Sequence, residues 1–196
     1  MRAVLRDYGN QVDPPTRKLF EAEIAQAEGR YLDAIKLQEG IPVDNALVRS
    51  LWIGSLYYAA GDAARAEENF RRAEAVGLDG AKRATFPDYE LPLALVQSML
   101  GQHATALETV ERVRARIPES RDAVNGPAAS FVRSFVLVRA GRTDEGYAEV
   151  ARLLRVPFGD NSGASAELFF GPGDPVALLT KGDSRFDELI NHPPRL

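Results

Sequence analysis

Few side chains in this sequence are equipped for covalent or acid–base chemistry. Of its 196 residues none is cysteine and two are histidine, His103 and His192. Without a thiol there is no disulfide framework, no thiolate metal site and no cysteine nucleophile. His103 falls in an expected inter-helix turn and His192 in the C-terminal tail, neither beside the convergent ligands that a metal ion needs. Gly159-Asp-Asn-Ser-Gly163 is close to the G-D-S-G phrase that surrounds some nucleophilic serines. A helical chain supplies no β-barrel to assemble the rest of a triad, so the phrase reads as a polar loop. Asp160 to Glu167 fails as a calcium loop, because Gly163 comes too early and Glu167 falls short of the twelfth position. Gly171-Pro-Gly173 is too short to cradle phosphate, and no G-x-x-x-x-G-K-[ST], G-x-S-x-G or H-E-x-x-H string is present. The expectation is a protein that is not an enzyme, with no catalytic residue, no cofactor and no metal site.

Charge narrows the partners. Lys and Arg number 24 against 28 Asp and Glu, a net charge of −4, whereas a nucleic-acid module normally presents a basic face. Arg112, Arg114 and Arg116 alternate, which on a helix spreads them around the surface, and Glu108 and Glu111 stand among them. Arg71-Arg72 follows Glu67-Glu68 at the i,i+4 spacing that supports a helix. No apolar run approaches the ~20 residues of a membrane span, and MRAVLRDYGNQ lacks the apolar core of a signal peptide. A cytoplasmic chain is expected, with a protein or peptide partner, no nucleic acid and no membrane, and with homo-oligomerisation left open. Met1–Tyr8 would also suit the last turns of an earlier helix, as in a piece of a longer protein.

The elements that must position any site are set by one recurring phrase. It occurs as Gly29-Arg-Tyr-Leu-Asp-Ala34, Gly61-Asp-Ala-Ala-Arg-Ala66, Gly101-Gln-His-Ala-Thr-Ala106 and Gly141-Arg-Thr-Asp-Glu-Gly146. Each lies between two apolar-periodic stretches. The glycine suits the left-handed residue that ends a helix, and the small residue five later lets the next helix pack closely. Four antiparallel helix pairs over about residues 14–157 follow, an all-α chain. Two linkers, Gly77–Pro87 and Pro118–Pro127, hold the extra length between pairs and are rich in helix breakers. Asp88 is placed to cap the helix after the first linker, with Pro92 in its first turn, and Asn125-Gly-Pro127 does the same before the fourth pair. The second helix of the first pair is cut short before Pro42.

Around the second pair the chain has Ile53-Gly54, Tyr57, Gly61, Ala66, Phe70 and Ala73, which resembles the tetratricopeptide repeat (TPR) signature. The third pair keeps Leu93-Ala94, Gly101, Ala106 and Pro118 but has Gln97 and Val110 at the aromatic places. The fourth has Gly141, Gly146 and Val150, and the first keeps Ala22, Ala25, Gly29 and Ala34. The resemblance implies antiparallel helix-pair repeats in a right-handed TPR-like superhelix whose first helices line a protein-binding groove. Carried over by the glycine register, the groove positions are Leu19 and Glu23, then Val48, Leu51, Ser55 and Tyr58. Leu91, Leu95, Ser98 and Met99 follow, then Phe131, Phe135, Val138 and Arg139. The TPR subclass that clamps acidic chaperone C-termini has Lys and Asn where Leu19, Glu23, Leu51 and Ser55 stand, so that clamp is not expected. Tyr58 and Arg139 are the expected polar contacts.

Beyond Pro157 the pattern becomes loop-rich, with a short helix over 183–190 stopped by Pro193-Pro194. Asp183-Ser-Arg-Phe186, Leu189 and His192-Pro193 resemble the phrase that ends TPR arrays in bacterial regulators carrying protein-kinase, adenylate-cyclase or TolB-like modules. That implies a non-catalytic scaffold within a signalling protein. The alternative is a structural or oligomerisation domain whose groove its own tail fills. Segment 130–139 is apolar on nearly every face, so residues 158–196 are expected to fold back as an irregular C-terminal cap.

Overall fold

The computed structural model describes residues 12–41, 45–83, 89–123 and 125–155, with Ser184, Arg185 and Glu188. These residues form α1 (Pro14–Ala27), α2 (Tyr31–Glu39), α3 (Ala46–Ala59), α4 (Ala63–Arg83), α5 (Glu90–Met99), α6 (His103–Arg116), α7 (Gly126–Arg139) and α8 (Thr143–Leu153). No strand occurs among the described residues, whose regular structure is all α-helix.

The same turn joins α1 to α2, α3 to α4, α5 to α6 and α7 to α8. Gly29, Gly61, Gly101 and Gly141 sit at φ 73, 81, 80 and 79°, a region in which a Cβ is strained. Each glycine N–H donates to the carbonyl three residues back (Gln26, Tyr58, Ser98 and Val138). The next N–H reaches five back, to Ala25, Tyr57, Gln97 and Leu137, at 2.8–2.9 Å. This is the Schellman arrangement, which satisfies carbonyls that a helix end leaves open. The residue after each glycine then accepts the first bond of the second helix, from Ala34, Ala66, Ala106 and Gly146 at 3.0–3.1 Å. One residue thus ends one helix and begins the next, so the two helices are held face to face. Each helix makes its most extensive contact with its partner across the turn.

Small residues keep the partners close. Ala34, Ala66 and Ala106 are fully buried. A Cβ on Gly146 would stand 2.5 Å from Val138 Cγ2 and 2.7 Å from the Ser134 carbonyl. In the second pair the notch is Gly54, where a Cβ would lie 2.8 Å from the Phe70 ring. Consecutive pairs meet through α2–α3, α4–α5 and α6–α7, and the first helices touch through α3–α5 and α5–α7. Leu47, Leu51, Phe70, Leu95, Phe131, Phe135, Val150 and Leu153 belong to one apolar core, and Ala25, Ala34, Ile35 and Leu56 form a second at the N-terminal end.

Three local readings are corrected. The first linker does not begin at Gly77, because α4 continues to Arg83. Gly77 and Gly80 are buried notches: a Cβ on Gly77 would meet Leu93 at 3.0 Å, and one on Gly80 would meet the Tyr89 ring at 2.3 Å. Here glycine serves packing rather than helix breaking. Tyr89 holds the cap position of α5 without a side-chain cap bond, and Asp88 lies outside the described residues. Asn125 precedes α7 but its side chain does not cap it; the amide donates to Asp122 Oδ2 at 2.9 Å. The expected cap over 158–196 lies outside the described residues apart from Ser184, Arg185 and Glu188, which are helical. Arg185 pairs with Asp144 at 2.8 Å and lies over the Tyr147 ring at 4.9 Å.

Candidate functional site

The first helices bring α3, α5 and α7 side by side, and this contact decides where the groove residues go. Leu51, Ser55, Leu95, Ser98, Phe131 and Phe135 are buried, because each first helix is flanked by its own partner and by neighbouring first helices. The hydroxyl of Ser55 is satisfied within its helix, donating to the Leu51 carbonyl at 2.8 Å. Val48, Leu91, Met99, Val138 and Arg139 are half-buried, as are Leu19 and Glu23, and Tyr58 is exposed. Burial pushes the Glu23 carboxyl above its ordinary range.

Three of these accessible positions, Tyr58, Met99 and Arg139, meet at one corner, at the C-terminal ends of α3, α5 and α7. There Tyr58 and Met99 line an open pocket of about 340 Å³ together with Ala63, Ala66, Glu67, Phe70, Arg71, Leu100 and Gln102. Arg139 rests against its edge, with Nη1 3.5 Å from the Tyr58 hydroxyl and its guanidinium 6.0 Å from the ring centre. That contact joins side chains 81 positions apart in the chain. The walls contributed by α4 and the Gly101 turn are not legible from the first helices alone. Glu67 and Arg71 read from sequence as a helix-supporting pair, and they are one, at 2.6 Å. Their second role depends on α5 standing opposite.

A second cleft of about 380 Å³ lies between the end of α6 and the start of α7, lined by Glu111, Arg114, Glu119 and Ser130 among others. Its acids are already engaged. Glu119 accepts both guanidinium nitrogens of Arg152 at 2.7 and 2.9 Å, and the Ser130 hydroxyl donates to it. The Arg152 bonds outweigh burial and hold the Glu119 carboxyl below its usual range. At Glu111, burial acts upward and is outweighed by Arg133 and Arg114. These bonds fasten the linker after α6 to α7 and α8, a structural use of charge.

His103 Nδ1 stands 3.4 Å from Ser98 Oγ, longer than the ~2.6–3.2 Å at which a base activates a nucleophile, and Ser98 is fully buried. Among the described residues no three His, Asp or Glu side chains converge to hold a metal ion, and no helix is long and apolar enough to cross a membrane. No family model, no curated protein and no solved structure matches the chain.

Proposed function

We propose that this protein is a non-catalytic interaction scaffold. In this reading its four helix pairs are TPR-like repeats stacked in a right-handed superhelix that binds a peptide or a partner domain. The observation that carries it is the sameness of the four glycine turns, each with φ near 73–81° and the same pair of bonds to the preceding helix. A chain that repeats one hairpin presents equivalent faces of successive first helices side by side, which is how repeat arrays build extended binding surfaces. The exposed and half-buried residues Val48, Tyr58, Leu91, Met99 and Arg139 supply that surface, and the six buried groove positions support it from beneath. Its place in a bacterial signalling regulator rests on the resemblance of the Asp183–Pro193 phrase. The test is selection of a random peptide display library on the 196-residue protein. The scaffold reading expects an enriched sequence motif whose synthetic peptide binds with one-to-one stoichiometry. A selection that returns no motif above background would sink it.

Arg185 favours a second reading. Its contacts with Asp144 and Tyr147 are on α8, at the C-terminal end of the helix series. Arg185 against the last pair suits a capped structural or self-associating domain. Reversible dimerisation in sedimentation equilibrium, together with an empty peptide selection, is the outcome that this reading expects.

A further inference from the structure

Arg139 differs from most described arginines, which have a carboxylate within ion-pair distance. It is half-buried, its Nε is shut away from solvent without a hydrogen-bond partner, and among the described residues its Nη1 reaches the Tyr58 hydroxyl. A buried cationic donor left unpaired is costly. The acceptor that best completes a guanidinium is a carboxylate, which takes two parallel N–H bonds. Beside it, Tyr58 is one of three exposed large apolar residues among those described and the only aromatic one. Arginine and tyrosine together are the residue types that dominate protein interfaces.

The neighbouring pocket fixes what must accompany the acid. Met99 and Leu100, backed by the buried Phe70 and Ala66, give the pocket an apolar side facing Glu67, Arg71 and Gln102, suited to one large uncharged side chain. Glu67 lines the same pocket and is neutralised by Arg71 at 2.6 Å. A doubly charged group such as phosphate would meet that carboxylate with only one unpaired arginine to hold it. A single carboxylate, placed on the Arg139 side, avoids the conflict. We infer that the Tyr58–Arg139 corner is a specificity subsite for an acidic peptide: Arg139 holds an Asp or Glu of the partner while an adjacent large apolar residue enters the pocket. The inference rests on the scaffold reading and gives it a ligand class. The site lies at the late end of the first helices, away from the places where the chaperone-type clamp would need Lys and Asn.

The display selection on the 196-residue protein tests it with a second readout, the composition of the motif and its response to variants. Enriched peptides should pair one acidic residue with Phe, Leu or Trp. Their affinity should fall about tenfold or more in Arg139→Gln and in Tyr58→Ala, and weaken as salt rises. Ala63→Trp, which fills the pocket from an exposed position and leaves Arg139 itself unchanged, should cause a comparable loss. Arg121→Gln on the exposed linker should change nothing. Helical circular dichroism establishes that each variant is folded, and Tyr58→Ala and Ala63→Trp alter exposed side chains, so the test survives a poorly folded Arg139→Gln. A motif without an acid, or binding indifferent to Tyr58→Ala and Ala63→Trp, overturns the subsite and leaves the scaffold standing. An empty selection overturns both. A dimer that Tyr58→Ala dissociates would place a second copy of the chain on this corner and overturn the peptide assignment.

Discussion

The second and fourth helix pairs reach the same closeness by opposite means. In α3 and α4 the notch is on the first helix: Gly54 lies under the Phe70 ring of the second, and Ala66 is buried beside it. In α7 and α8 the notch is on the second helix: Gly146 admits Val138 and the Ser134 carbonyl, and Val150 stands where Phe70 does nine residues after the turn. An aromatic residue on one side requires a glycine opposite it; a valine allows Ser134 there and shifts the glycine to the crossing. What the pairs share is a glycine notch at the crossing, on whichever helix faces the bulkier group, rather than the identity of the residues. That is why a sequence pattern written in residue names is sharp in the second pair and blurred in the fourth.

The largest expected effect comes from filling the fourth notch. Gly146→Val would press against a backbone carbonyl that cannot swing aside, so a loss of ~3 kcal/mol or more is expected in urea unfolding. Ala66→Leu tests the same crossing position in the second pair, where side chains can yield, and should cost ~1–3 kcal/mol. Equal losses at the two sites would contradict this placement of the notches. Gly54→Ala sharpens the comparison further. It should cost about 1 kcal/mol against the Phe70 ring, and most of that loss should be absent when the same change is made in a Phe70→Val background, which rebuilds the third pair's combination of Ala94, Ala106 and Val110 in the second.

Legibility followed the range of the interactions. The four turns were readable because glycine at φ near 80° and the small residue five later are local requirements. The continuation of α4 was not, since Gly77 and Gly80 look like breakers until Leu93 and Tyr89 are placed over them. The binding surface was legible in part. Tyr58 and Arg139 stood out by residue type, but the burial of Leu51, Leu95 and Phe135 depends on α3, α5 and α7 lying against each other. No sequence pattern states that an arginine lacks an acid partner, because that depends on every neighbour at once.

The smallest effect concerns the fastening between pairs. Arg152 holds the Glu119 carboxyl below its ordinary range, so this contact stabilises the fold above the unfolded pKa of ~4.3 and is lost as pH falls through the lower folded value. Glu119→Gln removes that dependence, and its melting temperature should decline less steeply than the parent's between about pH 5 and 3. A parallel acid limb in both proteins would show the pair to be inert. The second pair's Glu67–Arg71, highly exposed at 56 and 69%, should give no comparable change when Glu67 is replaced by Gln.

The methionines provide the most direct measurement of the account as a whole. The chain has two, Met1 and Met99, and Met99 lines the pocket beside Tyr58. Selective ¹³C-methyl methionine labelling therefore yields one signal inside the candidate site and one at the chain's start. Titration with a selected acidic–apolar peptide should move the Met99 methyl resonance, saturating at the affinity measured independently, and Ala63→Trp should abolish the movement. A peptide that binds at full affinity while the Met99 signal stays in place would contradict the central claim that the ends of the first helices form the binding surface.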